Sequence, residues 1–185
     1  MTTHPPSPTS LATEGNCSWI VLRLQSLGDD DLLELDEDDL AAASDQRKER
    51  DWRLLIVDDD PEVHRAMDLA LSGVVIRGRS LAISHCDSAA AARARLIDRH
   101  APVDLVLLDV VMETSGAGLN LLDDIRADPG TQRLPVLLHT GQPGRAPESK
   151  VRQRYDISGY LTKSTVTRPG LIATLDSILG HVSEL

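Results

Sequence analysis

The sequence predicts an α/β fold in which a parallel five-stranded sheet is covered by helices on both faces, and three observations point to it. From residue 51 onward, short apolar runs alternate with helical patterns five times, as in sheets whose parallel strands are joined by crossover helices. Hydrophobic residues make up 41% of the 185-residue chain, yet aromatics are only 2% and Phe is absent. A core of Leu, Ile, Val and Ala suits strands buried on both faces. Finally, the strand runs end in polar residues, and sheets of this kind bind ligands outside the carboxyl ends of their strands. Right-handed crossovers leave few ways to connect such elements.

Leu54-Leu55-Ile56-Val57 is the first strand and ends in acids. Pro61 opens the first helix, which carries Val63, Met67, Leu69, Ala70 and Leu71 and stops at Ser72-Gly73; its missing N–H costs nothing in a first turn. Asp60 belongs to that helix start, where negative charge suits the dipole. Ser80 to Cys86 reads as the second strand, and Asp87 or Ser88 caps an Ala-rich helix through Leu96 and Ile97, broken by Pro102. Val103 to Leu108 is the most apolar strand and ends at Asp109; Leu119 to Ala127 is the third helix, closed by Asp128-Pro129-Gly130. Leu134 to Leu138 is the fourth strand, ending at His139-Thr140, and Gln142-Pro143-Gly144 is a turn. A polar helix spans roughly 147–154, Ile157 to Leu161 is the fifth strand ending at Lys163, and the last helix covers about 168–179.

Residues 1–50 read differently and are expected to be an extension separate from a folded unit at 51–182. Residues 1–16 are rich in Pro, Ser and Thr, a composition that favours disorder. A short apolar patch follows at Trp19–Leu22, then an acidic block over 29–40 whose like charges oppose compaction. The formal net charge of −10 repels a phosphate backbone, which argues against direct nucleic-acid binding. Cys17 and Cys86 lack any metal or redox spacing and read as free thiols in a reducing compartment. No run approaches the roughly 18 apolar residues of a membrane span, and the N-terminus lacks the basic and apolar regions of a signal peptide. A cytoplasmic location with no membrane contact is the expectation.

The strand ends carry the chemistry. Asp58, Asp59 and Asp60 follow the first strand, Asp109 the third, Thr140 the fourth and Lys163 the fifth. Carboxylates gathered at one edge raise one another's pKa unless a cation intervenes. All-oxygen ligands favour Mg²⁺, or Mn²⁺, over zinc. Lys163 adds a point charge for a phosphoryl oxygen and Thr140 a hydroxyl. Phosphoryl transfer asks mainly for positioning and charge neutralisation, and an aspartate nucleophile gives an acyl phosphate.

Leu54–Pro61, Leu105–Met112, Thr140-Gly141 and Gly159–Lys163 together resemble bacterial response-regulator receiver domains, over about residues 51–182. The resemblance implies a flavodoxin-like (βα)5 three-layer sandwich with strand order 2-1-3-4-5. It implies Asp109 as phospho-acceptor, and Asp58, Asp59, Asp109 and the backbone carbonyl of Val111 as Mg²⁺ ligands. Thr140 and Lys163 would contact the phosphoryl group, and Thr140 with Tyr160 would form a switch. The implied partners are a histidine kinase or phosphotransfer protein, a downstream target or output module, and a second copy in a homodimer. Val110–Thr114, Thr140–Gly144, Ala146–Glu148 and Tyr155–Ile157 are most similar to receivers that precede HD-GYP-type cyclic-di-GMP phosphodiesterase modules. No such module is expected in these residues, so the chain reads as a free-standing receiver or part of a longer protein, and not as an enzyme with a turned-over substrate.

The sequence departs from the family at two prolines: Glu113 stands after Met112, and Ser164 after Lys163. A cis bond to Ser costs about 2.5–4 kcal/mol, so the Lys163 loop is where a different geometry is expected. The segment 113–118 also reads as one residue longer than usual. Two alternatives follow, a degenerate scaffold that works without phosphorylation and a Mg²⁺-dependent phosphohydrolase. Against the second, Val111 stands where such enzymes carry a general-acid Asp. The histidines His64, His85, His100, His139 and His181 fit no zinc spacing. His64 is expected to be exposed, and His139 to point away from the Thr140 side.

Overall fold

Each long strand alternates its side chains between two hydrophobic cores, which sets the layers of the domain. Leu55, Val57, Val106 and Leu108 face one core, and Leu54, Ile56, Leu105 and Leu107 face the other. The computed structural model describes residues 19–20 and 51–182. In chain order the elements are β1 (Trp19–Ile20), β2 (Trp52–Val57), α1 (Pro61–Leu71), β3 (Val75–Ile76), β4 (Arg79–Cys86) and α2 (Ala89–Arg93), which runs on as a π-type turn over Ala94–Asp98. Then come β5 (Leu105–Leu108), α3 (Ala117–Ala127), β6 (Val136–Thr140), α4 (Glu148–Arg154), β7 (Gly159–Thr162) and α5 (Arg168–Val182).

The sheet runs β1-β4-β2-β5-β6-β7, and all pairings from β4 to β7 are parallel. Those five strands stand in the order second, first, third, fourth, fifth, as expected. Met67 and Leu71 of α1 join Leu171, Leu175, Ile178 and Leu179 of α5 in one core. Ala92 and Leu96 of α2, Leu121, Leu122 and Ile125 of α3, and Val151 of α4 fill the other.

Two short antiparallel strands on the outer edge of β4 were not expected. Ile76 pairs with Arg79 around a two-residue turn in which Arg77 and Gly78 have φ of 50° and 78°. Positive φ at both positions is what a tight hairpin turn needs, and Gly78 meets it at no steric cost. Trp19 pairs with Ser84, and Ile20 with Ile83, so the expected N-terminal extension touches the sheet at that point. The rest of residues 1–50, with the acidic block and Cys17, lies outside the described residues.

Element ends moved by one to three residues, the last helix running on to Val182. The third strand starts at Leu105 because Asp104 turns to pair with Arg53. Local chemistry sets the helix starts. Asp60 accepts from the Glu62 N–H at 2.8 Å ahead of Pro61, and Ser88 accepts from the Ala91 N–H at 3.3 Å.

Candidate functional site

Register brings the polar strand ends together. Val57 lies opposite Cys86 on one side and Leu108 on the other, so Asp58 and Asp109 emerge side by side. Their backbones continue the ladder, with Asp58 N–H donating to Cys86 O at 3.1 Å and Asp109 N–H to Val57 O at 2.9 Å. Thr140 lies opposite Thr162, which puts Lys163 just past the same edge. The first turn of α3 presses on Asp109 from behind. A Cβ at Gly118 would stand 2.0 Å from the Asp109 carbonyl oxygen, so only glycine allows this approach.

Asp58 and Asp109 are buried, at 1% and 4% exposure, while Asp59 is exposed. One carboxylate oxygen from each of the three lies within 4.8 Å of the others. The Lys163 ammonium is 2.7 Å from Asp58 Oδ2 and 2.6 Å from Asp109 Oδ2. The second oxygens are held by the backbone: Asp60 N–H donates to Asp58 Oδ1 and Val111 N–H to Asp109 Oδ1, both at 3.1 Å. Burial pushes the Asp58 carboxyl up, against the pull of Lys163. Burial alone would lower Lys163, but its hydrogen bonds to Asp109 and Asp58 hold it above its ordinary value. Three carboxylates face one ammonium, and the donor set is all oxygen, so the cluster fits a hard divalent cation such as Mg²⁺ or Mn²⁺.

The other expected residues are close by. Thr140 is fully buried, and its hydroxyl oxygen accepts from the Gln142 N–H at 3.1 Å. Tyr160 is half-buried, and its hydroxyl donates to the Ala146 carbonyl at 2.8 Å, tying β7 to the loop before α4. Asp60 stays with the helix cap. The departures also have a place in the structure. Glu113 Oε1 accepts from the Ala89 N–H at 3.1 Å, so its carboxylate sits at the start of α2. The Lys163–Ser164 peptide is trans, and Lys163 reaches both aspartates.

One histidine expectation needs correction. His64 is half-buried, not exposed, and its Nε2 lies 2.8 Å from the Asp58 carbonyl oxygen. Sequence offered only its place one turn into α1; its other ring nitrogen, Nδ1, lies 2.7 Å from Nδ1 of His85 on β4. His139 is buried at 3% exposure, and its Nε2 has no hydrogen-bond partner among the described residues. Burial, helped by the nearby Lys163 charge, pushes its pKa down to about 4.

A sequence model of the response regulator receiver domain matches residues 54–176. Over 134 residues the chain is 37% identical to a 3′3′-cGAMP-specific phosphodiesterase 2 of Vibrio cholerae serotype O1; the match covers 72% of this chain but only 26% of that protein. The fold is similar to the signal receiver domain of an HD domain-containing protein from Pseudomonas fluorescens Pf-5, with a TM-score of 0.58, 22% identity, and 71% of this chain and 89% of that one covered. It is also similar to the Mn²⁺-bound form of response regulator Rcp1, with a TM-score of 0.52, 25% identity, and 69% and 91% covered.

Proposed function

This chain belongs to the response-regulator receiver family, and from that premise we propose that it takes a phosphoryl group on Asp109 from a phosphohistidine of a kinase or phosphotransfer protein. The observation that carries the reading is the bridge from Lys163 to both Asp58 and Asp109 beside an exposed Asp59. Every charged group the transfer needs is in one place, with an excess of negative charge for a cation to balance.

In this reading Asp58, Asp59 and Asp109, with the Val111 carbonyl, hold Mg²⁺. Bound there, the ion would neutralise charge on the phosphoryl oxygens. An Asp109 carboxylate oxygen forms the new P–O bond as the donor's P–N bond breaks, and the donor imidazole leaves as the neutral ring after taking up a proton. Lys163 then turns from the carboxylates toward a phosphoryl oxygen, and the Thr140 hydroxyl donates to another. Tyr160 leaves Ala146 and follows Thr140 inward, changing the surface around α4, β7 and α5, where a partner or a second copy docks. The phosphoryl group acts by differing contacts with two states of the domain.

We further propose that residues 51–182 are the unit that does this, in the cytoplasm. Kinship with the receiver portion of a cyclic-dinucleotide phosphodiesterase supports a partner module of that kind, and this chain spans about a quarter of that protein's length.

The test is intact mass after incubation with acetyl phosphate and Mg²⁺. A single phosphoryl adduct is expected in the wild type, with none in Asp109→Ala and none with EDTA. An unmodified wild type would leave the phosphorylation-independent scaffold as the reading. Phosphate released without a lasting adduct would favour the phosphohydrolase.

A further inference from the structure

Asp58 is pinned at both carboxylate oxygens, but Asp59 is not. Among the described residues the Asp59 carboxylate has no hydrogen bond or ion pair, so its direction is set by the backbone that carries it. The peptide linking these two acids is gripped from α1. Its carbonyl, that of Asp58, lies 2.8 Å from His64 Nε2. A carbonyl only accepts, so Nε2 carries the proton.

Behind His64 runs a chain of polar contacts. His64 Nδ1 is 2.7 Å from His85 Nδ1, and His85 Nε2 is 2.8 Å from Asp68 Oδ1. The two rings meet edge to face with centroids 4.6 Å apart. The three contacts need three protons shared among the two rings and Asp68. His85 is 8% exposed, and burial holds its pKa below the ordinary value against the opposing pull of Asp68.

His64 and Asp68 are on α1 with the core residues Met67 and Leu71, and His85 follows the core residue Ile83 by two on β4, positions where apolar side chains would avoid the desolvation cost. The polar chain ends on the one peptide whose orientation aims an unsupported metal-binding carboxylate.

We propose that His64 is a positioning residue for the cation site. By donating to the Asp58 carbonyl it fixes the Asp58–Asp59 peptide and presents the Asp59 carboxylate, while Asp68 acting through His85 orients the His64 ring. The inference rests on the phospho-acceptor reading, because it takes Asp58 and Asp59 as cation ligands. It adds a connection from the body of α1 to the metal loop.

The experiment measures binding of Mg²⁺ alone by calorimetry, on the full chain, for wild type, His64→Gln and His64→Asn. A Gln amide places its N–H where His64 Nε2 is, whereas an Asn amide stops short of the carbonyl. Both variants are polar and replace the ring, so loss of packing affects them alike. Supporting groups behind metal ligands typically change affinity by about 10–100-fold. The expected result is His64→Gln within about threefold of wild type and His64→Asn weakened about tenfold, with similar metal-free thermal midpoints for the two. Equal affinities for the two variants, whether both strong or both weak, would overturn the proposal. Acetyl phosphate labelling of the wild type separates the two levels. If the wild type is labelled and the variants bind alike, only the positioning role falls. If the wild type neither binds Mg²⁺ nor takes the phosphoryl group, the phospho-acceptor reading falls and takes this inference with it.

Discussion

The central strand β2 has an ion-paired cluster at each end, and the two are built on opposite plans. At its start, Arg53 and Asp104 form a closed pair. Arg53 Nε and Nη2 donate to the two carboxylate oxygens at 3.0 and 2.8 Å, and two backbone N–H groups donate at 2.8 Å, that of Arg53 to Asp104 Oδ2 and that of Asp104 to Arg53 O. Cationic charge matches or exceeds the anionic here, because Arg79 also acts on Asp104. Burial would raise Asp104, but the bonds from Arg53 outweigh it and hold its carboxyl below the ordinary value. At the other end, one ammonium meets Asp58 and Asp109 with Asp59 exposed beside them. Three carboxylates against one lysine leave a formal excess of two negative charges, and burial raises Asp58. A pair that only holds the fold together can balance its charge internally. A site with the proposed task of receiving a cation and a phosphoryl group leaves charge unbalanced, with the second carboxylate oxygens of Asp58 and Asp109 held by backbone N–H groups.

The largest effect is expected from the buried imidazole at the open end. His139 has a folded pKa of about 4 against an ordinary value of 6.5. The unfolded chain takes up a proton below pH 6.5 and the folded chain does not until about pH 4. Stability from this group is therefore complete above pH 6.5, falls as the pH drops toward about 4, and levels off below. The shift corresponds to about 3 kcal/mol. Urea unfolding across this window should show a shallower acid loss for His139→Leu than for wild type. Parallel curves would mean that the ring is protonated in the fold or freely hydrated.

Next in size is Asp58→Asn. Removing one cation ligand should weaken Mg²⁺ about a hundredfold, worth about 2.7 kcal/mol. Because it also removes part of the unbalanced charge, the metal-free protein should melt no lower than wild type. A fall in the metal-free midpoint with Mg²⁺ affinity intact would put Asp58 in the same class as Asp104. At the closed end the expectation is reversed: Asp104→Ala should cost about 2 kcal/mol through the broken charge-assisted bonds and leave Mg²⁺ affinity unchanged. Since the folded Asp104 pKa is depressed, the difference from wild type should be full above the ordinary carboxylate range and fade as the pH falls through the folded value.

This contrast was half legible in the sequence. Asp58, Asp109, Thr140 and Lys163 could be placed at one edge because each ends an apolar run, and alternation of strand and helix fixes which ends share an edge. The five parallel strands followed from the same local periodicity. What was hidden depends on partners distant in sequence. The second nitrogen of the His64 ring meets His85, which β4 brings from 21 residues away. β3 is two residues long, too short for periodicity, although the turn at Arg77-Gly78 is a signal that could have revealed it. Arg53 and Asp104 read as ordinary charged residues, because the pairing of β2 with β5 must be known before they meet.

The smallest expected effect tests whether charge pairing or burial makes the closed pair matter. Arg154 meets Asp123 at 3.0 Å, about as close as Arg53 is to Asp104, but with side chains 68% and 45% exposed. Water screens that pair and ordering the long side chain costs entropy, so Arg154→Ala should change stability by less than about 0.5 kcal/mol. Arg154 also lies over the Tyr155 ring, 5.0 Å from its centroid, but its solvated guanidinium gains little there. Measured by urea unfolding beside Asp104→Ala, the two should differ about fourfold or more in cost despite their matching distances. If the exposed pair's variant lost as much as that of the part-buried pair, proximity alone would account for both pairs. The imbalance at the other end of β2 would then need an explanation other than a waiting cation.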